Sequence, residues 1–153
     1  MVYLDEMTDV ARERLVNQEL PTFEPTPCMP GPTLAKRRIA LVTTAGLHRS
    51  DDKPFTPGVG EYRIIPETAD LDDLVMSHAS TNFDRTGFYR DLNVVFPLER
   101  LRELRDEGAI GSVAARHYAL MGANLPSVLE PAAKDIAAQL RADGVDGVVL
   151  AGV

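Results

Sequence analysis

Three histidines and two adjacent threonines are the first residues to weigh for chemistry in this sequence. His48 stands in "TTAGLHRSDD", just past the apolar run Ile39 to Val42, with Thr43 and Thr44 between them. Open α/β sheets bind ligands beyond the carboxyl ends of their strands, so these three side chains are candidates to line a pocket. The plainer role of the hydroxyls is a turn hydrogen bond to backbone. His78 lies in the polar stretch "MSHASTNFDRTG", residues 76–87, which reads as a lid over a pocket or as a simple connection. His117 stands between Arg116 and Tyr118 in "ARHYALMG". Arg116 has the forked donors to meet a carboxylate, or it is an exposed arginine. Thr43, Thr44, His48, His78 and His117 are therefore the candidate substrate-binding residues. For each histidine the alternative is a structural hydrogen bond. The single cysteine, Cys28, sits among prolines with no neighbouring His or Lys to favour its thiolate, and reads as a bystander. No GxGxxG, P-loop, HExxH or paired CxxC occurs, and no spacing fixes a Ser-His-Asp geometry. Motifs alone thus assign no catalytic residue and no metal site.

The elements that must position these residues follow from periodicity. Apolar residues Leu4, Met7, Val10, Ala11 and Leu15 keep a helical period, which predicts an amphipathic helix over 3–20. Residues 21–32, "PTFEPTPCMPGP", hold five prolines. Proline fixes φ and removes a donor, so this stretch is an extended arm. The body opens at "KRRIALVTTAG", whose continuous apolar run predicts a strand covered on both faces. "EYRIIP", residues 61–66, predicts a second strand stopped by Pro66. "DLDDLVMSHAST" predicts a short acidic turn or helix and then a brief apolar piece. "FPLERLRELRDEG" is a clear helix, with Pro97 in its first turn, a Leu98/Leu101/Leu104 stripe and Gly108 as its end. "LPSVLEPAAKDIAAQLRADG" is a second, with Ser127 and Glu130 at capping-box spacing. Its buried face is expected to carry Leu129, Ala132, Ala133, Ile136 and Leu140. "VDGVVLAGV", 145–153, predicts a buried strand, and helix followed closely by strand is the closing half of a βαβ unit. The expected architecture is α/β. It is a single domain with a mainly parallel sheet flanked by helices, preceded by an N-terminal helix (1–20) and a proline-rich connector (21–35). The α/β domain itself covers 36–153.

Composition narrows the function classes. The chain has 153 residues, 44% of them apolar and 25% charged, as a globular domain requires. Its formal net charge of −7 and the lack of a basic patch interleaved with aromatics argue against nucleic acid. No apolar run approaches the roughly 20 residues a bilayer span needs, so no membrane role is expected. The N-terminus is acidic and amphipathic, unlike a signal peptide. One cysteine permits no internal disulfide, and a cytoplasmic location is expected.

Several stretches carry a resemblance. "RIALVTTAGLH", "EYRIIP", "SHASTNFDRTGFYRDLNVVFPLERLRELRDEGAIGSVAARHYALMGA" and "LRADGVDGVVLAGV" resemble the selenoprotein B family of the glycine, sarcosine, betaine and D-proline reductases. The resemblance runs from about residue 21 to 153 and is strongest over 91–122. It implies an oxidoreductase that cleaves a carbon–nitrogen bond of a small amino acid or betaine-type substrate. A selenolate or thiolate attacks the carbon that bears the nitrogen. A selenol suits this step because it is ionised at neutral pH. The resemblance also implies a partner subunit whose pyruvoyl group captures the amine, with no cofactor in this chain.

In the family, the strand matching "GVDGVVLAGV" is followed almost at once by selenocysteine or cysteine. The redox residue would thus be residue 154, and no catalytic residue is expected within the 153. One expectation is that the sequence is the front part of a longer selenoprotein cut at a UGA codon, its α/β domain incomplete at the C-terminus. The other is a shortened protein whose last strand closes the sheet. The first hypothesis is a reductase component. The second is a non-catalytic small-molecule-binding or assembly module on the same scaffold. A third is an unrelated reaction, since fold does not fix function. A homo- or hetero-oligomer is expected in each case.

Overall fold

The structure is a computed structural model that describes residues 3–18, 20–22, 29–80 and 85–153. Strand β1 (Arg38–Thr43) forms its axis. Side chains alternate across a strand, and β1 sends Ile39 and Leu41 into one apolar cluster and Ala40 into another. It is covered on both faces, as its unbroken apolar run requires.

β1 pairs in parallel with β5 (Ser112–Val113), β6 (Arg116–Leu120) and β7 (Gly147–Ala151). β5 and β6 are successive pieces along one edge of β1, and β7 takes the other edge. β3 (Tyr62–Pro66) adds to β6 antiparallel, with Ile64 opposite Tyr118. The sheet is therefore mainly parallel with one antiparallel edge. A separate two-stranded ribbon pairs β2 (Leu47–Arg49) with β4 (Leu74–Met76), His48 opposite Val75. Neither of these three-residue strands was expected as a partner of the other.

Helices cover the sheet. α3 (Leu98–Asp106) buries Leu98 and Leu101 in the cluster that holds Leu41, Ile65 and Phe96. α4 (Pro126–Ala142) buries Ala132, Ile136 and Leu140 against Ala40, Tyr118 and Leu120 on the other face. Truncating such a leucine to alanine typically costs about 2–5 kcal/mol. Both helices end at a glycine in the left-handed region, Gly108 (φ 73°) and Gly144 (φ 67°). A short helix α2 (Thr86–Arg90) precedes α3.

Several local expectations are corrected. The N-terminal helix is not continuous over 3–20. A single 3₁₀ turn at Leu4–Glu6 precedes α1 (Asp9–Val16), which starts where the Thr8 side chain accepts from the Ala11 N–H. None of its residues is buried, so the apolar stripe has no core to face. α4 lacks the Ser127–Glu130 box. Leu125 is its N-cap without a side-chain bond, and Glu130 pairs instead with Lys134 at 2.7 Å. Ala133 is exposed, and Leu104 of α3 is 38% exposed. The expected terminal strand is present, but it is not buried: Val148, Val149 and Leu150 are 42%, 39% and 76% exposed. An apolar run reads the same in either setting, so the pattern could not separate them. Cys28 and residues 81–84 of the expected lid lie outside the described residues.

Candidate functional site

The carboxyl ends of β1, β6 and β7 meet at Thr44. Its carbonyl accepts from the Gly122 N–H at 2.9 Å, just past β6. Its N–H donates to Ala151 O of β7 at 3.0 Å. Its hydroxyl oxygen accepts from the Val153 N–H at 2.9 Å, so a side chain continues the ladder one step beyond the strand. The junction is tight. A Cβ on Gly122 would lie 2.8 Å from the Thr44 Cβ and 3.0 Å from Val153 O, closer than carbon atoms pack. Thr43 is fully buried, and its hydroxyl accepts from the Ala45 N–H at 3.2 Å, which is the turn bond open to a threonine there.

His78 lies against this corner. The Ser77 N–H donates to Gly46 O at 3.0 Å, and Gly46 has φ 67°, with a Cβ there 3.1 Å from the His78 backbone nitrogen. The His78 ring is buried, and its Nδ1 accepts from the Ser80 N–H at 3.2 Å. Arg85 clamps the segment by donating to the carbonyls of His78, at 2.8 Å, and Ser80. Burial first, and the Arg85 charge second, push the His78 pKa below its ordinary value. The imidazole is therefore neutral near pH 7.

His48 is buried on β2. Its Nδ1 lies 2.7 Å from the Arg49 carbonyl, so that nitrogen carries the proton. Nε2 is shielded from water and has no hydrogen-bond partner among the described residues. The ring meets Phe55 edge-on at 6.5 Å, and the Arg63 guanidinium covers Phe55 at 4.6 Å.

His117 sits elsewhere, on β6, with its ring at the gap between β6 and β1. Between Ile39 opposite Val113 and Val42 opposite Tyr118, the β5–β6 stretch carries two more residues than β1. That bulge withdraws a backbone acceptor from β1, and His117 Nδ1 replaces it by accepting from the Leu41 N–H at 2.9 Å. Nδ1 is thus unprotonated and Nε2 carries the hydrogen, buried with no partner among the described residues. The ring packs edge-on against Phe96 at 5.9 Å. Burial pulls its pKa down to about 4, with Glu67 opposing and Arg102 assisting. His117 is a neutral strut at neutral pH.

Thr44 and His78 are thus brought to adjoining turns, Thr43 is buried beneath them, His48 lies in the ribbon two residues past Gly46, and His117 is apart. Two clefts, of about 510 and 470 Å³, open elsewhere and are lined by none of these five. Among the described residues no group of His, Cys, Asp or Glu could hold a metal ion. Arg116, read as a possible carboxylate ligand, is bound to Asp143 through two nitrogens at 2.6 and 2.9 Å. Sequence reasoning missed Gly122, Arg85 and Asn124. Asn124 accepts from the Gly58 N–H and donates to Val59 O, which ties the 56–60 turn to the end of β6. The glycine in "LMGAN" was the one available signal, since a glycine just past a strand end marks a close backbone approach.

A family model, "Glycine/sarcosine/betaine reductase selenoprotein B", matches residues 12–153. The chain belongs to this selenoprotein B family. Among its curated relatives, the D-proline reductase subunit gamma of Acetoanaerobium sticklandii is 36% identical over 115 residues, covering 73% of this chain and 47% of the relative. The betaine reductase complex component B subunit beta of Peptoclostridium acidaminophilum is 30% identical, covering 95% of this chain and 36% of the relative. The glycine reductase complex component B subunit gamma of Carboxydothermus hydrogenoformans is 33% identical, covering 86% and 32%. The chain thus spans about a third to a half of these selenoprotein B relatives. No solved structure matches it.

Proposed function

We propose that this chain is the scaffold part of a reductase component that cleaves the C–N bond of a small amino acid or betaine-type substrate, with its nucleophile outside residues 1–153. Membership of the selenoprotein B family over residues 12–153 carries the reading. In it, a selenolate or thiolate attacks the carbon bearing the nitrogen. A C–Se or C–S bond forms, the C–N pair goes to nitrogen, and the amine leaves with a proton. A pyruvoyl group on a partner subunit would supply the electron sink. This chain's own contribution is positional. Thr44 and Gly122 fix where the backbone emerges from β7, beside the turn that holds His78. Thr43, Thr44, His48 and His78 remain the substrate-side candidates; His78, neutral near pH 7, is a hydrogen-bonding group at this corner and not the acid that protonates the leaving amine. His117 serves the same end through the register of β1. The relatives named above are subunits of reductases or reductase complexes, which supports a hetero-oligomer for this chain also. The reading places it in the cytoplasm. No helix among the described residues is long and apolar enough to cross a membrane.

One observation favours assembly without catalysis as a second reading: the exposed apolar side chains of β7. The coding sequence after the Val153 codon separates the two. An in-frame UGA or cysteine codon followed by an open frame supports the reductase. A UAA or UAG codon there removes the nucleophile and leaves the binding or assembly module.

A further inference from the structure

A cleft of about 510 Å³ opens between β4 and the turn that joins α2 to α3. Val75, Met76, Phe88 and Tyr89 give it an apolar surface, and Tyr89 is 72% exposed. Three carboxylates, Asp72, Asp91 and Glu99, stand on the same walls with one cation, Arg90. The Asn93 amide draws two of them together by donating to Asp91 at 2.9 Å and to Glu99 at 2.7 Å. The Asn93 side chain first, and its N–H second, hold the Asp91 carboxyl below its ordinary range, so it is charged at neutral pH. Among the described residues Asp72 and Asp91 pair with no cation. Glu99 meets Arg100 only at 3.8 Å, while Glu103 holds that arginine at 2.8 Å. An apolar groove rimmed by such carboxylates fits a segment that brings apolar side chains and cations together.

The chain itself carries such a segment. Residues 29–38, "MPGPTLAKRR", hold the one run of three cations in the sequence and no acid. Met29 is 82% and Leu34 57% exposed, and Lys36 is exposed with no ion pair among the described residues. The segment cannot fold back into its own groove. The Gly111 and Ser112 N–H groups both donate to the Arg37 carbonyl at 3.0 Å, and a Cβ on Gly111 would lie 2.6 Å from the Lys36 carbonyl carbon. Lys36 is thereby fixed beyond the carboxyl end of α3, whereas Glu99 stands in its first turn. The nine residues of α3 put about 13 Å between those ends.

We propose that this groove docks residues 29–37 of a second copy of the chain, with Lys36 against the carboxylates and Met29 and Leu34 on the apolar surface. The contact is head-to-tail, because groove and segment lie at opposite ends of α3, and it closes into a ring or runs on as a chain of copies. Exposed ion pairs contribute little each and are screened by salt, so the association is weak and salt-sensitive. The groove is separate from the Thr44 corner, and the proposal stands whether or not the reductase reading holds.

Sedimentation velocity over a range of protein concentrations is the test, with Leu150→Lys carried in every sample to remove association through β7. The proposal expects concentration-dependent association that weakens as sodium chloride rises. Asp72→Lys and Lys36→Glu should each weaken it by about tenfold. An equimolar mixture of those two variants should associate again, because each groove then meets a segment of opposite charge. That recovery also requires both variants to be folded. Arg141→Glu, on α4 across the sheet, changes the net charge as much as Lys36→Glu does and should leave association unchanged. Association that both charge changes leave intact, or that the mixture does not restore, overturns the proposal. So does a chain that stays monomeric at every concentration, which would leave the groove to a basic segment of another protein.

Discussion

Strand β1 is paired along both edges, but its two neighbours differ: β6 is buried, whereas β7 shows apolar side chains to solvent. The β6 side carries Tyr118, Ala119 and His117 at essentially no exposure, and even the ladder gap at the bulge is closed by a side chain. The β7 side is paired over five residues, from Ile39–Gly147 to Thr43–Ala151, yet its apolar side chains face outward. β7 also lacks the devices that blunt an edge strand, since "GVVLA" has no charge, no proline and no bulge. One strand thus lies between a buried neighbour and an exposed one, and the assembly reading proposed above makes the exposed one a docking edge. Loss of a contact on the first should be felt as stability, and loss on the second as assembly.

The largest effect belongs to His117. Replacing it with alanine opens a cavity beside Phe96 and orphans the Leu41 N–H, and should cost about 3–5 kcal/mol in urea denaturation. Asparagine, whose Oδ1 can stand where Nδ1 does, should recover part of that loss. An equal loss in both variants would show that ring volume, and not the hydrogen bond, holds the sealed edge.

Next is acid. The folded His117 pKa lies near 4 and the unfolded value near 6.5, so the unfolded chain binds the proton first. Its contribution is complete above pH 6.5 and is lost as pH falls from 6.5 to 4, by about 3 kcal/mol. Denaturation midpoints at pH 7.5, 5.5 and 4.5 should trace this loss in the parent chain. In His117→Asn this part of the slope should be absent.

Smaller again is Thr44→Val, which removes the acceptor of the Val153 N–H. Stability should fall by about 1 kcal/mol, and amide exchange at Val153 should quicken more than at Leu41. The smallest effect on stability belongs to Leu150→Lys. At 76% exposure this change should move stability by less than about 0.5 kcal/mol while lowering self-association in sedimentation. A large loss of stability there would mean that the β7 edge is not a docking edge.

The two edges also differ in how far the sequence disclosed them. The run Ile39 to Val42, the leucine spacing of α3 and the glycines after both helices state their structure directly, because periodicity and left-handed turns are local properties. The mainly parallel α/β arrangement follows from those elements in order. The exposure of Val148 to Leu150 does not, since it depends on what packs across the strand. The β2–β4 ribbon is too short to show a period. His117 was legible as a residue but not as a strut, because a two-residue bulge between β5 and β6 leaves no trace in hydropathy. Thr44 drew notice through its place after a strand. That its hydroxyl would extend the β7 ladder depends on a residue 109 positions away.

The measurement that bears most directly on the reductase reading uses the product of the whole reading frame, purified with its partner subunits. Glycine, sarcosine, betaine and D-proline are each supplied with a dithiol reductant, and reductive C–N cleavage is followed by mass spectrometry of the products. The account predicts cleavage of at least one of the four, abolished when a selenocysteine or cysteine that the frame encodes after β7 is replaced by serine. Cleavage of none, or cleavage that survives the serine replacement, would contradict it.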